Sequence, residues 1–294
     1  MSANVEIIHP LSKRINNALV DYEFKNRLQY SAGHPQSINF LMIERCNSKC
    51  VMCGGDYYGT KSDKILTFEN YKKLVANLNM NKVSNIVYGG AGDPLLSKYL
   101  PDIVEYTAEN FRHISLRVIT NAIALDDRLS RLLLKCNTYF TISVNATNPE
   151  TYKKIHEVDC FDQVYANVKR LTDIRDEMGS SSTVELSAVI TRRNIEELAS
   201  FVNMTRDLNC IAIKLLYCRY YPAKLRFKES GDDDNKLLEK ESLFFHQALA
   251  KKYMLEAKKR AEDYGIRLWT EPTFGSVVHP HPCYSPWKTI YIGF

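Results

Sequence analysis

Residues 38–53, INFLMIERCNSKCVMC, decide how this chain is read. The apolar run 38–44 predicts a first strand, and the polar segment behind it predicts a loop at that strand's C-terminal end. The loop carries Cys46, Cys50 and Cys53, three thiols within eight residues. Such spacing lets one short loop wrap three sulfurs around a single soft metal centre. A structural zinc site normally wants four protein ligands, and no fourth Cys or His stands nearby in sequence. Three thiolates leave one coordination position open, which suits a reactive centre. The bland alternatives are a loop of buried cysteines and a zinc site completed from elsewhere.

Outward from this loop, short apolar runs alternate with helical patterns. Strands are expected at 86–88, 114–119, 139–144, 184–190 and 211–217. Helices are expected at 67–78 with Thr67 as its cap, and at 100–110, 127–134, 161–178 and 195–208. Six strand–helix units in a row imply a parallel α/β sheet, because each helix must carry the chain back to the same edge. Beyond Tyr217 comes a polar stretch, then a long helix from about 236 to 264 and a short strand at 266–269. Residues 1–35 hold a helix near 11–28, and the Pro- and aromatic-rich tail 279–294 reads as a separate small element.

Further polar residues fall at strand ends. Gly89-Gly90-Ala91-Gly92-Asp93-Pro94 follows the second strand. Glycines let backbone come close to a ligand, and a carboxylate there can pair with an ammonium group. The stretch fails as a dinucleotide fingerprint, since the third glycine is missing and Pro94 stands where a helix should begin. A plain tight turn is the other reading. Thr120-Asn121-Ala122 ends the third strand, and Ser143 and Asn145 end the fourth. Such residues converge on one face of a barrel, where barrel chemistry sits. Ser187, Arg192, Arg193 and Lys214 are weaker candidates for cofactor or substrate contact, with exposed loop charge the simpler account of the two arginines.

CNSKCVMC behind a strand resembles the CxxxCxxC loop of the radical S-adenosylmethionine (radical SAM) superfamily. The resemblance implies a partial (β/α)6 TIM-type barrel with a short C-terminal extension. It divides the chain into an N-terminal extension (1–35), the barrel (36–225), a linker and long helix packing on it (226–272) and a tail (273–294). It implies a [4Fe–4S] cluster held by Cys46, Cys50 and Cys53, with S-adenosylmethionine chelating the fourth iron. Met52 sits where the family packs a bulky residue near the adenine. The stretch Gly89, Gly90, Ala91, Gly92, Asp93 is similar to the family's GGEP segment for the cofactor's amino group, with Ala91 for a glycine and Asp93 for the glutamate. Asn121 stands where the family often has Thr-Asn-Gly, suited to ribose hydroxyls, and Ser143 is a further cofactor contact. The implied activity is reductive cleavage of S-adenosylmethionine to a 5′-deoxyadenosyl radical that takes hydrogen from a substrate C–H bond. A one-electron donor of flavodoxin or ferredoxin type is then a partner. Peptide or natural-product modification leads as the substrate class. The alternatives are a small-molecule (sugar or alcohol) radical dehydrogenase or epimerase, and a non-enzyme iron–sulfur electron carrier.

The tail Cys283-Tyr284-Ser285-Pro286-Trp287 resembles the opening of SPASM or twitch extensions, where such a cysteine begins an auxiliary cluster. Here it supplies one thiol, with Cys218 as the distant companion, so no auxiliary cluster is expected. Trp287 and Tyr291 are expected to pack the tail against the barrel. Cys136, Cys160 and Cys210 read as ordinary buried thiols, and Phe244, Phe245 and Tyr253 as packing residues. His279 and His281 read as part of an extended segment, and residues 232–234 as a solvated acidic loop.

Composition sets the outer bounds. The 294 residues are 45% hydrophobic and 25% charged, which excludes a disordered chain. The net charge of +5 is spread without a basic run, so no nucleic-acid partner is expected. No apolar stretch reaches a membrane span, and the opening residues lack a signal peptide's apolar run, so neither membrane nor export is expected. Eight cysteines without an export signal point to the reducing cytoplasm, where clustered thiols bind metal more often than they pair.

Overall fold

Alternation along the strands sorts the sheet into two faces. Ile38, Phe40, Ile86, Tyr88, Leu116, Val118, Phe140 and Ile142 are buried in the main core, whereas their neighbours Asn39, Val87 and Arg117 are only partly covered. The computed structural model describes residues 10–29, 31–53, 64–218, 239–271 and 285–293. Its strands are β1 (Ser37–Phe40), β2 (Asn85–Tyr88), β3 (Ser115–Thr120), β4 (Tyr139–Ser143), β5 (Val184–Ile190), β6 (Ala212–Tyr217), β7 (Arg267–Thr270) and β8 (Thr289–Ile292). They form one parallel sheet in the order β7-β6-β5-β4-β3-β2-β1-β8. The sheet does not close, so this is the partial barrel the sequence leads one to expect.

The helices are α1 (Pro10–Lys25), α2 (Phe68–Ala76), α3 (Leu100–Asn110), α4 (Asp127–Lys135), α5 (Pro149–His156), α6 (Phe161–Glu177), α7 (Leu198–Asp207), α8 (Gln247–Tyr264) and the short α9 (Ser285–Lys288). Thr67 caps α2 as expected, accepting from the Asn70 N–H at 3.2 Å. Helix α5 has no counterpart in the expected elements. Its start is marked by Asn148, whose side chain accepts from the Thr151 N–H at 2.9 Å, and by Pro149 in the first turn.

Four other expectations need correction. The first strand ends at Phe40 rather than residue 44, because the chain leaves the ladder to meet the incoming segment at the Ile43–Ile65 antiparallel bridge. The tail is not a separate element: β8 pairs with β1 through Thr289 to Ile292. Trp287 does pack, edge-on to Phe24 of α1 at 5.5 Å, but Tyr291 is not packed, being 68% exposed. Phe244 and Phe245 are exposed and touch each other edge to face, while Tyr253 packs on the core. No described helix is long and apolar enough to cross a membrane. The readings of residues 232–234, His279, His281 and Cys283 lie outside the described residues.

Candidate cofactor site at the strand ends

The thiol loop leaves the C-terminal end of β1, and three neighbouring segments hold it. The first is the glycine stretch after β2. Gly92 has no room for a side chain, since a Cβ there would lie 2.2 Å from the Arg45 carbonyl oxygen and 2.6 Å from that of Ile43. The Asp93 N–H donates to the same Arg45 oxygen at 3.1 Å. Gly90 adopts φ +123°, open to glycine. The two loops therefore meet backbone to backbone.

Asp93 then ties this pair to β3. Its Oδ1 accepts from the Leu95 N–H at 3.0 Å, and its Oδ2 accepts from the Asn121 N–H at 2.8 Å. The Thr120 hydroxyl lies 2.9 and 2.8 Å from the two oxygens. The carboxylate is 3% exposed, and burial pushes it above its ordinary value against the pull of these donors. The Asn121 side chain reaches the thiol loop, donating from Nδ2 to Asn47 Oδ1 at 2.7 Å and approaching Cys46 Sγ at 3.6 Å. Ala122 follows at φ 59°, a left-handed conformation that glycine adopts more readily. That explains physically why the similar family motif often has glycine in this place.

The third support comes from α5 and escaped the sequence reading. Lys49 and Val51 donate their N–H groups to the His156 and Ile155 carbonyls at 3.0 and 2.9 Å. The His156 ring, fully buried and stacked on Tyr152 at 4.0 Å, places Nδ1 3.3 Å from Cys50 Sγ and 3.3 Å from Ser48 Oγ. Asn145 organises the same corner. Its Oδ1 accepts from the Val189 N–H at 2.8 Å and its carbonyl from Asn194 Nδ2 at 2.8 Å. The signal that marks α5 in sequence is Asn148-Pro149, a cap followed by a first-turn proline.

Of the other candidates, Ser143 is half-buried beside Ser187 across the β4–β5 ladder, and Lys214 pairs with Ser187 across β5–β6. Met52 is half-buried in the thiol loop. Arg193 forms an ion pair with the buried Glu241 at 3.1 Å, and Arg192 with Glu196 at 3.3 Å, so both arginines are engaged within the fold. Cys210 is buried, and Cys136 and Cys160 are half-buried. Two cavities, of about 470 and 400 Å³, open at the N-terminal ends of β3–β5 and β1–β4. They lie at the opposite end of the strands from the thiols.

The donor set suits an iron–sulfur cluster. Among the described residues no group of three Cys, His or carboxylate side chains is arranged to hold a metal ion, so the fit rests on the chemistry of the three sulfurs. Cys46 and Cys53 are exposed, and burial pushes the Cys50 thiol up to about 12, with Cys53 and Cys46 adding repulsion. Iron would hold these sulfurs as thiolates, and three of them would leave one iron of a four-iron cluster open to another ligand.

The fold and site together define a partial-barrel α/β protein with a three-cysteine loop at its strand ends. The Radical SAM superfamily pattern matches residues 40–204, and the chain belongs to that superfamily. The superfamily uses a [4Fe–4S] cluster and S-adenosylmethionine, and its members described below are enzymes. A probable GTP 3′,8-cyclase from Saccharolobus islandicus is 30% identical over 205 residues, covering 68% of this chain and 63% of that protein. One from Methanocaldococcus jannaschii is 24% identical, covering 67% of each. Among solved structures, Streptococcus suis SuiB bound to precursor peptide SuiA superposes with a TM-score of 0.69 at 13% identity, over 100% of this chain and 65% of that one. The protein anSMEcpe with bound AdoMet gives 0.61 at 16% identity, over 81% and 64%. This chain thus spans less than two thirds of the length of several of its relatives.

Proposed function

We propose that this chain is a radical SAM enzyme that abstracts hydrogen from a C–H bond during peptide or natural-product modification. The observation that carries the reading is the three-thiol loop pinned at the end of β1 by Gly92, Asn121 and the end of α5. Cys46, Cys50 and Cys53 would hold the cluster. When bound, cluster and cofactor supply an electron and a 5′-deoxyadenosyl radical; the protein orients them and keeps water out. Backbone of Gly89, Gly90, Ala91 and Gly92 would meet the cofactor's methionine end, with Asp93 holding that loop in place. Asn121 and Ser143 would face the nucleoside and Met52 its base. A one-electron donor of flavodoxin or ferredoxin type and a reducing cytoplasm complete the setting.

The inward strand face mixes apolar residues with Arg117, Ser143, Ser187 and Lys214, and both edge strands present an exposed aromatic residue, Trp269 and Tyr291. An open-sided lumen of this kind accepts an extended substrate, which favours a peptide. The second reading, a nucleotide-sized substrate, is favoured by the relatives named GTP 3′,8-cyclase. Anaerobic incubation of reduced protein with S-adenosylmethionine, followed by mass spectrometry, tests the first step: 5′-deoxyadenosine and methionine are expected, and their absence sinks the reading. Adding candidate peptides or GTP then separates the two substrate classes by which one raises turnover.

A further inference from the structure

Inside the buried corner at α5, hydrogen-bond chemistry fixes which nitrogen of His156 carries the proton. Nε2 lies 3.3 Å from the Asn145 backbone N–H, a group that can only donate. Asn145 Nδ2 lies 3.2 Å away, and it too is a donor, because Oδ1 of that amide is occupied by the Val189 N–H. Nε2 is therefore the acceptor. A ring nitrogen that accepts carries no proton, so the proton sits on Nδ1. That N–H points into the space shared by Cys50 Sγ and Ser48 Oγ, each at 3.3 Å. The Ser48 hydroxyl lies 3.2 Å from the sulfur and also 3.2 Å from the His156 carbonyl, to which it donates. The ring cannot turn away, being stacked on Tyr152 with an interplanar angle of 8°.

We propose that His156 is a positioning residue that donates its Nδ1–H to the Cys50 sulfur and thereby sets the reduction potential of the cluster. The proposal rests on the reading of Cys50 as a cluster ligand. A hydrogen bond to a ligating thiolate withdraws charge from the iron–sulfur unit and favours the reduced state, so it raises the potential. The effect is directed at one ligand of three. Cys46 meets the longer contact from Asn121, while Cys50 receives a ring donor whose tautomer is fixed by two donors behind it. The same helix end clips the loop on both sides of Cys50, through Lys49 and Val51, so donor and ligand move as one body.

The test is a redox titration of the anaerobically assembled full chain, followed by electron paramagnetic resonance, with iron counted in every sample. His156→Phe keeps a ring for Tyr152 but removes the donor, and its midpoint potential is expected to move negative at unchanged iron content. His156→Asn returns a short N–H donor and is expected to recover part of that shift. Equal midpoints in wild type and His156→Phe at full iron would overturn the proposal and leave His156 a packing residue. Should His156→Phe fail to fold, the wild type decides. With isotope-labelled histidine, the reduced cluster is expected to show a nitrogen hyperfine coupling, and its absence overturns the proposal. A wild-type protein that assembles no cluster overturns the Cys50 reading itself, which iron analysis distinguishes from the other failures.

Discussion

Two buried carboxylates, Asp93 and Glu185, show how differently the barrel uses the same group. Asp93 sits above the strand ends and joins three stretches of chain: its own loop, the end of β3 and, through the Arg45 carbonyl, the thiol loop. Glu185 sits low on β5, where Tyr139 donates at 2.5 Å and Thr141 at 2.8 Å from β4, and Arg117 of β3 lies 3.7 Å away. Two of Asp93's donors are backbone N–H groups, which cannot reverse. Those of Glu185 are hydroxyls, which can donate or accept. The upper knot is thus rigid and specific, and the lower one adaptable. That contrast is what a site for cofactor geometry needs over a lumen floor that only has to keep its strands together.

The contrast breaks if the upper region proves to be ordinary loop. Changing Cys46, Cys50 and Cys53 together to alanine is expected to abolish cluster binding, read as iron and sulfide content, while the thermal midpoint of the cluster-free protein barely moves. Retained iron would place the cluster elsewhere. Gly92→Ala comes next. Its Cβ meets two carbonyl oxygens, so one loop must shift, at a cost of about 1–3 kcal/mol. Calorimetry and iron retention should fall together, and an unperturbed Gly92→Ala protein would mean that the loops are not locked.

Asp93→Asn is expected to cost about 1–3 kcal/mol, since either orientation of the amide turns its NH2 toward a backbone N–H, that of Leu95 or of Asn121. S-adenosylmethionine affinity should weaken as the loop loosens, and unchanged affinity and stability would reduce Asp93 to a turn residue. A pH signature sharpens this. Burial raises the folded-state value above 3.8, so between that value and the raised one the folded protein holds the extra proton. Stability from this group therefore falls as pH rises through that window. Urea midpoints across acid pH should show the slope in wild type and lose it in Asp93→Asn.

Much of this was legible in the sequence. The alternation of apolar runs and helical patterns locates β2 to β6 because each strand is apolar on its core-facing positions, and the three-thiol spacing marks the loop outright. What escaped has physical reasons. Helix α5 is only eight residues long, and its buried positions are Tyr152, Ile155 and the polar His156, too few apolar positions for a helical period to stand out. In the sequence His156 is one histidine among seven with nothing local to set it apart. The tail strand β8 alternates weakly, and only pairing with β1, distant in sequence, reveals it. Asp93 was legible as a carboxylate on a glycine turn, but not as one whose oxygens are taken by its neighbours, because those partners come from β3.

Glu185→Gln should do least. Glutamine keeps one carbonyl for the Thr141 hydroxyl, and the Tyr139 hydroxyl can rotate to accept from the new NH2, so neither partner is orphaned. What is lost is the charge facing Arg117, whose side chain is 37% exposed and also lies over the Tyr139 ring at 4.1 Å. A partly solvated pair at this distance contributes roughly 1 kcal/mol or less. The melting temperature should fall slightly and cluster content should not change. One local reporter is available. Tyr139 is pushed up to about 12, first by burial and then by the Glu185 carboxylate. Removing that charge should lower the phenol's ionisation point while burial keeps it above the ordinary tyrosine range. Ultraviolet titration of Glu185→Gln against wild type reads this directly. A loss of stability as large as that of Asp93→Asn would show that the lower knot is as rigid as the upper one, and the distinction between them would fall.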